Sequence, residues 1–262
     1  MRTRFEALSA EERDEAIASL EAVRERVLDR AQLREGDTLL DVGTGTGLLV
    51  FGALDRLGAD GRVIALDVSV DCLEELRTAC EDPRVAYLVG GAEVLPLPND
   101  SVDVVTTRSV LIYVRQKAEA AREFFRVLRP GGRVSIFEPV NRRNTQLWEL
   151  VDFGDLAERV TADFYRRWPR DHPMQSFDAE AMTGWFREAG FADVDVDIDV
   201  SSVTVTPDAV LHGIGAPGSP SLVDAWQDEF SPEEVAQLEA AVRAAGPTEP
   251  RWPALYLAAQ KP

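Results

Sequence analysis

Apolar positions recur with two periods along this chain, and the switches between them mark out its elements. Ser9 followed by Glu12 is a capping-box pattern, and Ala16, Leu20, Val23 and Val27 then recur at helical spacing. This predicts an N-terminal helix lying beside a sheet or over a ligand, with Gly36-Asp37 closing the lead-in. A short apolar strand starts near Thr38 and runs through Leu39-Leu40-Asp41-Val42 into Gly43-Thr44-Gly45-Thr46-Gly47. A helix over about residues 46–57 follows, closed by Gly58 and Gly61. Residues 62–66 read as a second buried strand ending at Asp67, and a helix over 70–80 comes next. Pro83 marks the break before a third strand, 85–89, and Pro96 and Pro98 punctuate the path to a fourth, 102–107. Ala121, Phe124, Phe125 and Leu128 form the apolar stripe of the next helix, which Arg129-Pro130-Gly131-Gly132 stops. Residues 133–137 make the fifth strand, with Glu138-Pro139 at its exit.

The second half departs from simple alternation. Residues 140–177 are helix-prone and carry Trp148, Phe153, Phe164, Tyr165 and Trp168. An insertion after the fifth strand is expected over the ligand face, with most of these aromatics anchoring it and one or two facing a pocket. A helix over 179–189 ends at Gly190. Residues 191–200 then alternate strictly between apolar and acidic, the pattern of a one-face-buried strand near an edge, with its carboxylates diverging into solvent. A second insertion, 204–250, holds a loop over 213–220 and a helix introduced by Ser231-Pro232-Glu233-Glu234, a capping box with proline at the first helical position. Residues 253–259 form the last strand, expected to pair with the acidic one.

The glycine turn carries the first chemical signal. A strand feeding a helix through alternate glycines brings bare backbone close to a ligand. The spacing is Gly-x-Gly-x-Gly, and Leu48 occupies the third glycine position of the dinucleotide fingerprint. Asp67, about twenty residues on, is placed to accept from both hydroxyls of a ribose; capping of the next helix is its structural alternative. With these residues the chain resembles the class I S-adenosylmethionine-dependent methyltransferases. Residues 39–47 are similar to their first motif and 63–69, with Asp67 and Val68, to the second. Gly90-Gly91-Ala92-Glu93-Val94-Leu95-Pro96-Leu97-Pro98 with Asp100-Ser101-Val102-Asp103 resembles the third, and Arg129-Pro130-Gly131-Gly132-Arg133 the turn before the fifth strand. The likeness is nearest the small-molecule branch that includes the menaquinone and ubiquinone enzymes, although Gly91 stands where that branch usually has an Asp. The resemblance implies an α/β, Rossmann-like sheet of seven strands with an antiparallel last strand and helices on both faces. It implies S-adenosyl-L-methionine as cofactor, S-adenosyl-L-homocysteine as product, and a site made of Gly43, Thr44, Gly45, Gly47, Asp67, Val68, Gly91, Ala92, Glu93 and Arg108. One methyltransferase domain over 1–262 is expected, with a lead-in over 1–36, a cofactor-binding core over 37–139, and 140–177 and 204–250 covering the substrate.

Composition narrows the partners. A formal net charge of -18 repels phosphate backbones and argues against nucleic acid. No apolar run approaches a membrane span and the start lacks a signal-peptide core, so a soluble, cytoplasmic protein without a membrane partner is expected, as monomer or homodimer. Cys72 and Cys80, the two cysteines, lie eight apart on one expected helix, too far for a disulfide, and no metal-ligand grouping surrounds them.

Methyl transfer from a sulfonium asks chiefly for alignment of a nucleophile. A phenol or enol acceptor would also use a base, and the chain has two histidines, His172 and His212, one in each insertion. Tyr113, after the fourth strand, is a further pocket candidate. Surface or core roles stand beside catalysis for all three. Arg108 has three readings: a cofactor contact, an anchor for an anionic substrate, or the partner of a nearby acid. The expectation is methyl transfer to a small molecule, with oxygen of a natural product or quinone-like compound favoured and carbon or nitrogen open. The rivals are a nicotinamide dehydrogenase, a protein that only holds the cofactor, and a rearrangement without methyl transfer.

Overall fold

The computed structural model describes residues 10–213 and 220–262. Ser9 of the expected capping box and residues 214–219 of the expected loop lie outside them.

The elements, in chain order, are α1 (Ala10–Ala31), β1 (Thr38–Val42), α2 (Leu48–Leu54), β2 (Arg62–Asp67), α3 (Val70–Ala79), β3 (Val85–Val89), β4 (Val102–Arg108), α4 (Lys117–Val127), β5 (Leu128–Pro139), α5 (Ala157–Arg167), α6 (Ala179–Ala189), β6 (Ala192–Ser202), α7 (Pro207–His212), α8 (Leu222–Gln227), α9 (Pro232–Ala245) and β7 (Arg251–Gln260). One seven-stranded sheet runs in the order β3-β2-β1-β4-β5-β7-β6. Neighbouring strands from β3 across to β5 pair in parallel, and β7 pairs antiparallel to β5. This is the Rossmann-like sheet with its antiparallel last strand that the motifs implied, with β6 at the edge beside β7.

The chain divides into two compact units. The first holds residues 15–140, 177–199 and 254–262. Its core joins Leu28 and Ala31 of α1, Leu39 of β1, Val50 and Ala53 of α2, Val63 and Ala65 of β2, Leu76 of α3 and Val104 of β4. The last turn of α1 leaves carbonyls without helical partners. Arg133 of β5 satisfies that of Ala31 (3.0 Å), and the Ser135 hydroxyl of β5 donates to the Val27 carbonyl one turn earlier (2.7 Å), which places α1 beside the sheet. Arg133 also forms a buried ion pair with Asp37. Phe124 of α4 packs on Phe186 of α6.

Three boundaries differ from expectation. Gly47 takes the position before α2 with φ of +92°, so the helix starts at Leu48 and closes by Leu54. Cys80 is extended and lies past α3, free like Cys72. β5 starts at Leu128, yet its register jumps from Val102↔Leu128 to Val104↔Arg133, so residues 129–132 bulge out of the ladder around Gly131 (φ +78°). The acids of β6 also do more than face solvent: Asp195 pairs with Arg30, and Asp197 and Asp199 with Arg26.

The second unit gathers residues 141–176 and 200–253 with the start of α1. It has its own core, in which Val151, Phe153 and Val160 meet Leu211, Trp226, Val235 and Leu238. Phe153 stacks edge-on against Trp226 at 6.0 Å, and Trp148 against Phe164 at 5.2 Å. Ser231 and Glu234 close a reciprocal capping box at the start of α9, as the sequence predicts. No helix among the described residues is long and apolar enough to cross a membrane.

Candidate cofactor site

The strand order reverses between β1 and β4, running 3-2-1 to one side and 4-5 to the other. Open parallel sheets offer their ligand crevice at the carboxyl ends of the strands at such a point. The glycine turn stands there. Gly43, Gly45 and Gly47 have φ of +66°, +54° and +92°, a region L side chains rarely adopt. The N–H groups of Gly43 and Thr44 both donate to the Leu66 carbonyl, at 2.7 and 3.0 Å, lashing the turn to β2.

The three glycines have different reasons to be glycine. A Cβ on Gly43 would stand 2.3 Å from Val110 Cγ2, and one on Gly47 2.3 Å from Leu76 Cδ1, so at both a neighbouring side chain of the protein would have to shift. A Cβ on Gly45 would meet nothing within 4 Å. Gly45 is the glycine whose bare side is turned to open space.

Asp67 organises this cradle. Its Oδ2 accepts the Gly45 N–H at 2.8 Å and its Oδ1 the Ser69 N–H at 2.9 Å. Capping of α3 falls to Ser69, whose hydroxyl accepts from Cys72 N–H. A carboxylate has about four acceptor positions, so two remain for a ligand diol. Gly90 N–H donates to the Asp67 carbonyl at 3.0 Å, and a Cβ on Gly91 would lie 3.7 Å from Val68 Cγ1. The segments expected around an adenosyl group, Asp67-Val68 and Gly91-Ala92, are therefore side by side, Ala92 being buried. Val68, Val94 and Tyr113 are 73%, 77% and 65% exposed.

Glu93 points elsewhere: its Oε1 accepts Gln116 N–H at 2.8 Å, at the start of α4. Arg108 ends β4 opposite Phe137, and its charge acts on the Tyr256 phenol. Tyr113 sits in the turn after β4, in the same unit as the glycine turn. His172 and His212 belong to the other unit. His172 opens the short helix Pro173–Gln175, its Nδ1 accepting Met174 N–H at 3.2 Å while its ring meets Trp168 edge-on. That is a structural capping role. His212 is the exposed last residue of α7.

Sequence reasoning missed two acids. Asp41, in β1, is buried, and Thr106 Oγ1 donates to its Oδ1 at 3.0 Å. Its Oδ2 has no hydrogen-bond partner, nor has the buried hydroxyl of Thr44. Burial pushes the Asp41 carboxyl up to about 7, the nearby Thr44 and Thr106 hydroxyls pulling the other way and the charge of Asp67 adding to the rise. Glu138, at the exit of β5, is also buried. Its Oε1 accepts Val110 N–H and Leu111 N–H, both at 2.8 Å, and its Oε2 accepts Ile112 N–H at 3.0 Å. Burial raises it to about 7 against those three bonds and the charge of Lys117. The signal was an acid inside an apolar strand run, since carboxylates are seldom buried without a partner or a task. Ser109, with φ of +55° just after β4, gave no signal in the sequence.

Open space over Gly45, a diol acceptor at Asp67, the exposed Val68 side chain next to it and an orphan carboxylate oxygen at Asp41 fit S-adenosylmethionine, which carries a ribose, an adenine and an ammonium group. Fold and site together define a Rossmann-like protein with a glycine-turn ligand cradle at its switch point.

The methyltransferase domain family matches residues 40–136, the span from β1 to β5. The ubiquinone/menaquinone biosynthesis C-methyltransferase UbiE of Vibrio vulnificus (strain YJ016) is 34% identical over 180 residues, covering 63% of this chain and 67% of that protein. Among solved structures, YcgJ of Bacillus subtilis has a TM-score of 0.62 at 19% identity, over 93% of this chain and 98% of that one. Phosphoethanolamine N-methyltransferase 2 of Haemonchus contortus, solved with S-adenosyl-L-methionine, has a TM-score of 0.57 at 18% identity, over 92% of this chain and 52% of that one. The chain belongs to the class I S-adenosylmethionine-dependent methyltransferases. It is a methyltransferase that uses S-adenosylmethionine.

Proposed function

We propose that this enzyme methylates a ring carbon of an electron-rich, quinol-like small molecule. The cradle around Gly45 carries the cofactor half of this reading, and the likeness to a ubiquinone/menaquinone C-methyltransferase supports carbon over the oxygen acceptor favoured by sequence. Asp67 holds the ribose diol, Val68 and the Gly91-Ala92 backbone flank the adenine, and Asp41 with Thr44 faces the ammonium group. Bound there, S-adenosylmethionine supplies a methyl group already activated on a sulfonium, so the protein's task is to orient the acceptor and exclude water.

Tyr113 stands at the cofactor side. His172 Nδ1 is committed to a backbone N–H, whereas His212 is exposed at the end of α7. The test is incubation of the purified protein with S-adenosylmethionine and a panel of hydroquinones, phenols and amines. S-adenosylhomocysteine is quantified and the transferred methyl is located by NMR. Methyl on a ring carbon of a hydroquinone is expected. Methyl on oxygen or nitrogen only would overturn the carbon assignment, and cofactor binding without any S-adenosylhomocysteine would overturn methyl transfer to this class.

A further inference from the structure

The second unit contains a cavity of about 340 Å³, in the range of small-molecule sites. Its wall includes Arg142, Arg143, Arg170 and Arg251 together with Trp148 and Tyr165. Four arginines, all exposed, line this one hollow in a chain of net charge -18.

The one carboxylate in the wall is Glu149. Its Oε1 accepts Gln146 N–H at 3.1 Å in a capping box, so its charge is directed at the start of its own helical turn. The arginines are held from distant parts of the chain. Arg251 begins β7, and its backbone is stapled to Thr145 twice: Thr145 N–H donates to the Arg251 carbonyl at 3.0 Å, and Arg251 N–H donates to Thr145 Oγ1 at 3.0 Å. That staple fixes Arg251 beside the segment carrying Arg142 and Arg143. Arg170 lies over the Tyr165 ring, 4.7 Å from its centroid, and donates to the Tyr165 hydroxyl at 3.2 Å. Trp148 packs against Tyr165 at 5.8 Å, giving the cationic hollow an aromatic side. Asn144, also in the wall, has a buried Oδ1 with no hydrogen-bond partner, and an orphan acceptor favours a ligand that brings a donor.

We propose that this pocket binds a small aromatic molecule bearing a phosphate or carboxylate group. The planar forks of the arginines match either oxyanion in two-point contacts. The aromatic side takes the flat body of the ligand, and Asn144 takes a ligand hydroxyl or amine. Every residue in its wall belongs to the second unit, whereas the glycine turn and Asp67 belong to the first. Binding in this pocket does not depend on methyl transfer.

Calorimetric titration of the full chain with phenyl phosphate, benzoate, inorganic phosphate and benzyl alcohol tests this, with S-adenosylmethionine titrated into the same samples. Saturable binding is expected for phenyl phosphate, benzoate or both, which separates the two oxyanion sources, and none for benzyl alcohol. Inorganic phosphate is expected to bind more weakly than phenyl phosphate. Arg143→Gln and Arg251→Gln, singly, should each weaken the aromatic anion by about tenfold. Trp148→Leu should weaken phenyl phosphate while leaving inorganic phosphate unchanged. Unaltered affinity for S-adenosylmethionine in these variants shows that they are folded, and makes a failure of the anion site distinguishable from a failure of the cofactor site. No saturable binding of either aromatic anion, equal affinity in the arginine variants, or equal binding of benzyl alcohol would overturn the proposal.

Discussion

Gly45 gives its backbone N–H to Asp67 Oδ2 at 2.8 Å, so the turn after β1 and the end of β2 are set by one carboxylate. The same group is offered to the ligand. Asp67→Asn keeps the shape but leaves one oxygen to serve two backbone donors and a diol. Hydrogen bonds to a charged partner contribute about 1.5–3 kcal/mol. Affinity for S-adenosylhomocysteine is therefore expected to fall by about tenfold to a hundredfold. An unchanged dissociation constant by calorimetry would remove Asp67 from the ribose.

The glycines of the turn should separate by assay. Gly45→Ala adds a Cβ where no protein atom lies within 4 Å. The folded protein should lose only about 1–2 kcal/mol from left-handed backbone strain, while cofactor affinity drops by about tenfold or more as the methyl fills the cradle. In Gly43→Ala the Cβ instead overlaps Val110, whose β-branched side chain has few rotamers to turn to. Overpacking adds about 1–3 kcal/mol to the backbone strain, so the melting temperature without cofactor should fall further than for Gly45→Ala. Equal melting temperatures for the two variants would contradict this division of roles.

The three ion pairs between α1 and β6 should make the edge strand salt-sensitive. Arg26 bridges Asp197 and Asp199 while lying over the Tyr256 ring, and Arg30 meets Asp195. The acids are more than half exposed, so each pair contributes only about 0–1 kcal/mol. Arg26→Ala should destabilise by about 1 kcal/mol at low ionic strength, the ring contact included. Part of that loss should vanish in about 0.5 M NaCl, where surface pairs are screened. Denaturant melts of wild type and variant at both salt concentrations check it; a loss that does not change with salt assigns the effect to the Tyr256 contact alone.

What could be read from the sequence, and what could not, follows from the range of the interactions. Residues 85–89 and 179–189 were placed by local period and by stop residues, and Pro83 and Gly190 act within a few positions of themselves. The cradle was equally legible, because Gly43 to Gly47 and Asp67 sit on consecutive elements. The start of β5 was missed because the strand resumes across a bulge, which only the register with β4 reveals. The aromatics of residues 140–177 read as anchors, and Phe153 is one, though it anchors its own unit through Trp226 rather than the sheet. The arginine pocket left no local trace. Its residues come from positions 142, 143, 170 and 251, and only folding collects them.

Asp41 should make cofactor binding a proton-releasing step. Its carboxyl is raised from 3.8 to about 7 by burial. Between those values the folded protein keeps a proton that the unfolded chain has lost, so stability without cofactor falls as pH rises through this window. A ligand ammonium, cationic below about pH 7.7, favours the ionised form. Binding near pH 6 should then release a proton, and affinity should rise towards pH 7 by up to about tenfold per unit. Calorimetry in two buffers of different ionisation heat measures the release. Asp41→Asn should abolish it and flatten the pH dependence; proton release that persists in this variant assigns it to another group.

Glu138 reaches the cradle through Val110. Its carboxylate fixes the backbone of Val110, Leu111 and Ile112, and the Val110 side chain fills the space that a Cβ on Gly43 would need. Glu138→Gln offers one acceptor oxygen where two are used, leaving at least one buried N–H unpaired or turned against an NH2 group, at a cost of about 1–3 kcal/mol. The melting temperature should fall accordingly. A purely structural role predicts unchanged cofactor affinity in the folded fraction at low temperature. A positioning role predicts weaker binding there, because the loop that packs against the glycine turn has lost its anchor. Glu138→Asp, which keeps two acceptors on a shorter stem, should recover part of that affinity if positioning is the role. Calorimetric titration of S-adenosylhomocysteine into both variants, well below their melting temperatures, separates the two; wild-type affinity in Glu138→Gln would confine Glu138 to stability.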